Sequence, residues 1–399
     1  VTGTSAAMGD LNALNAKTSV AINVDTVTGL TGTNAELTSL LGGQVTLATA
    51  PGFEATGTTG FDGNETITLT DTVTAAQAGV AQAATTTDVT ATVSDTLANF
   101  IGTGGGAANL EAGHAITFVL SETTATALDL KAADLLTTVA IDASNLVSIS
   151  GLRTDIGDVY AGGFTGLGTE AITVGDASVT AAQANTLVGL TTGVVTATVA
   201  ADTAAQLNSD LTAATASDAL SLSITAVSVN AADLIALAGK TSVAVDASLV
   251  TGVSGTAAEL QALYTLGATE ITGLGTEGVT ITGTPSAAEA NAVAVLTTGT
   301  VTATLASGSA ADLNAALTET ALNAYTITVT GTSAAMGDLN ALNAKTSVDI
   351  DVDTIIGLTG TASDLTTLMT GAGGATLDTA DDFLAGKTFD GDETITLTG

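Results

Sequence analysis

Along much of the chain an aliphatic residue alternates with threonine, serine or alanine. VTATV (residues 89–93 and 195–199), TITVTG from Thr326, LSITAV from Leu222 and SVAINVD from Ser19 all carry this period of two. Successive side chains of a strand point to opposite faces, so the pattern predicts short strands with one buried face. Between them lie stretches with leucines at helical spacing, as at Leu234 and Leu237 or Leu260 and Leu263. The starts of these stretches are marked by capping boxes: Thr33 with Glu36, Thr74 with Gln77, Thr180 with Gln183, Thr203 with Gln206 and Thr256 with Glu259. Ser286 with Glu289, Ser309 with Asp312 and Thr361 with Asp364 continue the set, and Asn230 with Asp233 is its asparagine version. In such a box the hydroxyl accepts the third helical amide while the acid or amide side chain reaches back to the cap. Lys17, Lys240, Lys345 and Lys387 close helical stretches just before a threonine, where a cation meets the negative end of a helix dipole.

These strand–helix pairs recur at two longer periods. Residues 1–71 return as residues 329–399, with VTGTSAAMGDLNALNAKTSV unchanged and FDGNETITLT from Phe61 returning as FDGDETITLT from Phe389. Inside the long unit, similar segments start at Glu65, Glu170 and Gly278, about 110 residues apart. The chain divides into residues 1–66, the end part of a preceding long repeat; 67–171, sub-repeat A; 172–279, sub-repeat B; 280–394, sub-repeat C, whose 329–394 duplicates 1–66; and 395–399, the start of the next repeat. Val1 reads as an internal position of a longer protein. A strand–helix module of under about 30 residues cannot bury a core alone, but a stack of them can. The expected fold is therefore an α/β repeat protein, a solenoid of short strand–helix modules with a continuous parallel β-sheet. The alternative is a string of small α/β domains, one per sub-repeat, with breaks near Thr85 and Gly102.

Composition narrows function more than fold. Forty acidic residues stand against 6 basic, a net charge of −34, which disfavours nucleic acid and anionic membranes as partners. No apolar run is long enough for a membrane span. With no cysteine, disulfides and thiolate metal sites are excluded. Only 12% of residues are charged, about half of what is usual for a soluble domain, and so neutral a surface suits packing against copies of itself.

Little in the chain suggests catalysis. His114 is the sole histidine and Arg153 the sole arginine; neither has a nucleophile or an orienting acid nominated beside it. Gly239-Lys240-Thr241 fails as a phosphate loop because Leu234 stands where the first glycine is needed. No enzyme is expected, and a polysaccharide lyase is the weakest of the readings.

Carboxylates have a plain role as helix caps, with Asp71, Asp95, Asp202 and Asp246 following strands as N-caps. Clusters in glycine-containing turns are the candidates for Ca²⁺, which takes oxygen ligands from flexible loops: Asp62, Asn64 and Glu65; Asp378, Asp381 and Asp382; Asp390, Asp392 and Glu393. Threonine rows such as ITLT give a minor alternative, an ice-binding face, against the ordinary reading of a solvated strand surface.

The recurring TAAQANTL, TTG, VTAT and GTAAELQAL patterns resemble the giant tandem-repeat surface proteins of Gram-negative bacteria, those of S-layers, large adhesins and extracellular filaments. The resemblance implies secretion, a cell-surface or extracellular location, and calcium-assisted assembly. The expected function is a structural repeat segment of a very long extracellular protein that self-associates into a filament or surface layer. The alternative is the spacer or stalk of a large adhesin.

Overall fold

The computed structural model describes residues 1–53, 60–104, 110–370 and 393–398. They form an α/β protein in which every strand pairing is parallel and no sheet closes into a barrel. By contacts the chain falls into two compact units, residues 1–179 with 183–198, and residues 180–182 with 199–399.

In the first unit one sheet runs in the order Ser5–Ala7, Gly29–Gly32, Thr66–Val73, Val89–Asp95, Ala115–Leu120, Ile141–Asp142, Phe164–Thr165. A second runs Thr124–Thr126, Ser148–Gly151, Ala171–Val174, Val195–Thr198. In the second unit one sheet runs Ser228–Asn230, Gly252–Gly255, Gly278–Ile281, Val301–Thr304, Ala324–Thr326. Beside it are the pair Val245–Asp246 and Ile271–Thr272, and the sheet Ser333–Ala335, Gly357–Gly360, Thr394–Leu397. Each strand thus lies against the next strand of its own track, one module further along.

The single continuous sheet expected from the alternation is divided. Helix Ala127–Asp134 is preceded by a strand of one sheet, Thr124–Thr126, and followed by a strand of the other, Ile141–Asp142. Helix Ala231–Ala238 is flanked in the same way by Ser228–Asn230 and Val245–Asp246. One module feeds two sheets because its chain passes the stack twice. A module of about 24 residues holding a helix, two strands and their turns leaves only a few residues for each strand. Hence SVAINVD contributes one isolated bridge, Ile22 with Phe53, and TITVTG a strand end and two bridges, Val329 with Gly308 and Thr328 with Asp351.

Inward strand positions form the core: Ile67 and Leu69, then Val89, Ala91 and Val93, then Ile116, Phe118 and Leu120, all buried. Their outward neighbours Thr66 and Thr90 are exposed, as the period of two requires. Helices close the core with one stripe each, such as Leu37, Leu40 and Leu41, or Ala257, Leu260 and Leu263. Aromatic packing is confined to few places; Phe100 stacks on Phe118 with centroids 3.9 Å apart.

The caps largely follow the pattern. Both legs of the box form at Thr33, Thr74, Thr256 and Ser286, and at Thr361 with Asp364. Thr203 and Ser309 make the forward bond only, and Asn230 accepts the amide of Ala232 instead of the third. Two further caps were not singled out from the sequence: Thr96, outside the box pattern, holds the amide of Asn99, and Thr126, which fits it, holds that of Asp129.

Among the described residues, the two copies of the duplicated segment have the same element order. Strand Ser5–Ala7, helix Met8–Asn15 and strand Gly29–Gly32 return as Ser333–Ala335, Met336–Asn343 and Gly357–Gly360. The register returns too: Ser5 opposite Gly29 and Gly29 opposite Thr66 become Ser333 opposite Gly357 and Gly357 opposite Thr394.

Candidate functional site

The most elaborate chemistry in the molecule lies between modules. Six pairs of hydroxyl residues, each between a helix and a strand, staple a module to the preceding one: Thr85-Thr86, Thr137-Thr138, Thr191-Thr192, Thr241-Ser242, Thr297-Thr298 and Thr346-Ser347. The first hydroxyl donates to a carbonyl in a strand of the earlier module or just before one, those of Glu65, Ile116, Glu170, Leu220, Glu277 and Tyr325, at 2.5–2.8 Å. It also accepts the amide two residues on, at 2.9–3.2 Å, which fixes its own turn. The second hydroxyl donates to the carbonyl two residues before the first acceptor, for example Gly168 from Thr192 and Asn323 from Ser347. A threonine fits because its hydroxyl bonds in both directions while its methyl stays in the core. The stretch at Thr85, read from sequence as a break, is one of these joints.

Three of the carbonyls being stapled belong to buried glutamates in a Gly-x-Glu turn. Glu65, Glu170 and Glu277 are all almost wholly buried. Each carboxylate accepts amides of its own turn: Asp62 and Gly63 for Glu65, Gly168 and Thr169 for Glu170, Gly275 and Thr276 for Glu277. Gly63, Gly168 and Gly275 have φ of 83°, 120° and 116°, a region a side chain resists. Tyr160 and Tyr264 set their hydroxyls on Glu170 and Glu277. Burial, and then the glutamate, hold the Tyr264 phenol far above its ordinary range. Burial likewise raises the carboxyl of Glu65, against the opposing pull of its amide bonds. The sequence carried a signal for this turn in the recurrence of Gly-x-Glu before a strand with Thr-Thr some 20 residues later; the alternation itself hides it.

Charges also act one module back. Asp71 accepts the first helical amide of Asn34–Leu41, Asp95 that of Ala75–Ala84, Glu122 that of Leu97–Phe100 and Asp176 that of Arg153–Ala161. Asp71 and Asp95, expected to cap the helix that follows them, thus reach the preceding helix, because stacking brings its positive end beside the later strand; Asp95 also serves the following helix, its Oδ1 accepting the amide of Thr96 and the side-chain amide of Asn99. Asp202 holds the amide of Thr203 and Asp246 that of Ser248, both locally. The lysines obey the same rule in reverse. Lys240 donates to the carbonyl of Leu211, which ends the preceding helix, at 2.6 Å, and Lys345 to that of Leu317. Lys131 ties helix Ala127–Asp134 to the next through Asp155 and Asp158, both at 2.7 Å.

Of the calcium candidates, Asp62 and Asn64 are exposed and bonded to each other, with Asp62 accepting the Asn64 amide at 2.9 Å. Glu65 is buried, its oxygens on the amides of Asp62 and Gly63, and its carboxyl lies beside that of Asp62. Glu393 lies just before strand Thr394–Leu397. Asp378, Asp381, Asp382, Asp390 and Asp392 lie outside the described residues, as does Lys387. Among the described residues no group of three or more histidines, cysteines and acids is placed to hold a metal ion. His114 accepts the amide of Val89 through Nδ1 at 3.2 Å and so belongs to the strand ladder. Threonine rows do align, as Thr68 with Thr90 and Thr280 with Thr302, but Ala115 and Ala324 end them. Among the described residues no helix is long and apolar enough to cross a membrane. Comparison with protein-family models, with curated proteins and with solved structures finds no match.

Proposed function

We propose that the chain is a structural repeat segment of a very long extracellular protein, that its modules stack as a solenoid, and that its copies associate into a filament or surface layer. One observation carries this reading: the buried polar chemistry described above, hydroxyl staples, buried glutamates and module-to-module caps, is spent on joining modules. Buried hydrogen-bonded groups stabilise only while every partner is in place, which suits a part whose task is to hold a fixed spacing. The low charge density and the exposed Val20, Val147, Val227 and Leu249 favour contact between copies.

Calcium belongs to this proposal through the exterior acids, Asp62 among them, and not through Glu65. Electron microscopy of the native material, before and after a calcium chelator, tests both parts. Ordered filaments or lattices with the period of the 328-residue unit (residues 1–328) are the expected result, and their loss on chelation would locate calcium between copies. Isolated particles in both conditions would favour the adhesin spacer instead.

A further inference from the structure

One junction between helices brings together three side chains that the hydroxyl staples do not use. Lys345 follows helix Met336–Asn343 and reaches back to helix Ala310–Ala316, one module earlier. Its Nζ donates to the side-chain Oδ1 of Asn314 at 3.2 Å and to the Asn314 main-chain carbonyl at 3.3 Å; its third acceptor is the Leu317 carbonyl. The nitrogen of the same carboxamide is held as well, Asn314 Nδ2 donating to Asp338 Oδ1 at 2.9 Å. Asp338 lies in the first turn of the helix that Lys345 follows, and all three residues are half-buried. An amine thus sits against the oxygen of a carboxamide and a carboxylate against its nitrogen, across the joint between two modules.

Another junction has the same residue types at nearly the same spacing, Asn208, Asp233 and Lys240, without assembling them. There Asn208 Nδ2 donates to the main-chain carbonyl of Asp233, not to its carboxylate, and Lys240 Nζ rests on the Leu211 carbonyl. The Asn208 Oδ1 is buried and has no partner. Asn12 and Asn340 likewise donate to main-chain carbonyls of the next helix, those of Glu36 and Asp364. Joining two helices therefore needs only the asparagine and a carbonyl, and the carboxylate and amine at Asn314 are additional to that task.

We propose that Lys345 and Asn314 join in an intramolecular isopeptide bond, with Asp338 relaying the proton. Lys345 first loses a proton to solvent, since a protonated amine is no nucleophile. Its lone pair attacks Cγ of Asn314, forming the new N–C bond while the carbonyl pair moves onto Oδ1. Asp338 takes a proton from the attacking nitrogen and passes it to Nδ2. The pair returns from Oδ1, the Cγ–Nδ2 bond breaks, and ammonia leaves and takes up the proton first lost. An ammonium and a carboxamide thus become a secondary amide and an ammonium ion; nothing is oxidised or reduced, and no co-reactant is needed. Holding the amine against the carboxamide through two main-chain carbonyls replaces a chance encounter by a fixed one, the main source of rate for so slow a reaction. The bond closes residues 314–345 into a loop and joins two modules covalently, whether or not copies of the chain associate.

The test is the intact mass of the whole chain, denatured after purification and incubation at neutral pH, together with a tryptic map. The parent is expected to be one ammonia lighter than its sequence requires. Trypsin, which needs a free lysine side chain, should cut after Lys240 and not after Lys345. Lys345→Arg, which keeps the charge, and Asp338→Asn, which keeps the size, should each show the full mass calculated for its own sequence, with circular dichroism confirming that both fold. A parent at its full calculated mass that is cut after Lys345 overturns the proposal. So does an ammonia deficit that persists in Lys345→Arg, because an asparagine closing a ring on its own main chain loses the same ammonia. A deficit that persists in Asp338→Asn overturns the relay assigned to Asp338.

Discussion

Thr18 and Thr346 sit in the same sequence, NAKTSV, and differ in what precedes them in space. Replacing each by valine therefore isolates the staple from the local turn. The Thr346 hydroxyl donates to the Tyr325 carbonyl at 2.7 Å and accepts the Tyr325 and Val348 amides at 3.0 and 3.1 Å, all buried or nearly so. Valine fills the same volume but leaves two amides and a carbonyl without that partner. A buried unsatisfied group costs about 1–3 kcal/mol, and losses that share one side chain do not add fully. Thr346→Val should therefore cost about 2–4 kcal/mol, or about 30-fold or more in the local opening equilibrium. Thr18 in the isolated chain holds the Val20 amide at 3.0 Å in an exposed turn, where water replaces the hydroxyl, so Thr18→Val should cost no more than about 0.5 kcal/mol. Native-state hydrogen exchange suits the comparison because it reads local opening without assuming that a repeat array unfolds in one step. The amides of Tyr325 and Val348 should exchange faster in Thr346→Val, and the Val20 amide should barely change in Thr18→Val. Equal effects at the two sites would refute the staple and reduce it to a turn motif.

Other consequences are checked by denaturant or thermal unfolding. Glu277→Gln leaves an amide group facing the Gly275 and Thr276 amides and the Tyr264 hydroxyl, and should cost about 2–4 kcal/mol; Glu289→Gln, in an exposed capping box, should cost under about 0.5 kcal/mol because glutamine serves there as well. Lys240→Met keeps the stem but loses the bond to the end of the preceding helix, a loss of about 1 kcal/mol; no measurable change would mean the lysine is only a surface charge. Acidity should act in two directions. Burial raises the folded carboxyl of Glu65 above its ordinary 4.5, so its contribution is present below 4.5 and lost as pH rises through the folded value. The amides of Asn64 and Ser248 lower those of Asp62 and Asp246 below 3.8, so their contribution is present above 3.8 and lost as pH falls through the folded values. The melting temperature should rise from pH 7 to a maximum between these two ordinary values and then fall; a maximum above pH 6 would contradict the assignment.

What the sequence determined alone is whatever depends on residues close together along the chain. A capping box joins a residue to the third one after it, so Thr33, Thr74, Thr256 and Ser286 could be placed without knowing the fold, and a period of two exposes Thr66 and Thr90 while burying Ile67 and Val89. The duplication was equally legible, since copying leaves identity behind whatever the structure. The direction of the longer bonds was not. Asp95 has a helix on either side of it in sequence; one oxygen serves the later helix locally, and only stacking shows that the other serves the earlier one. Glu65 stands in an acidic turn like an ion ligand, and only burial shows its oxygens turned inward to amides. Thr85 sits in a polar run that reads as a break, and only the strand packed beneath it makes it a joint. Hydrogen bonds and charges select partners by distance in space, and in a stack of short modules the nearest partner lies one turn of chain away, about 20 residues back, where no local pattern points.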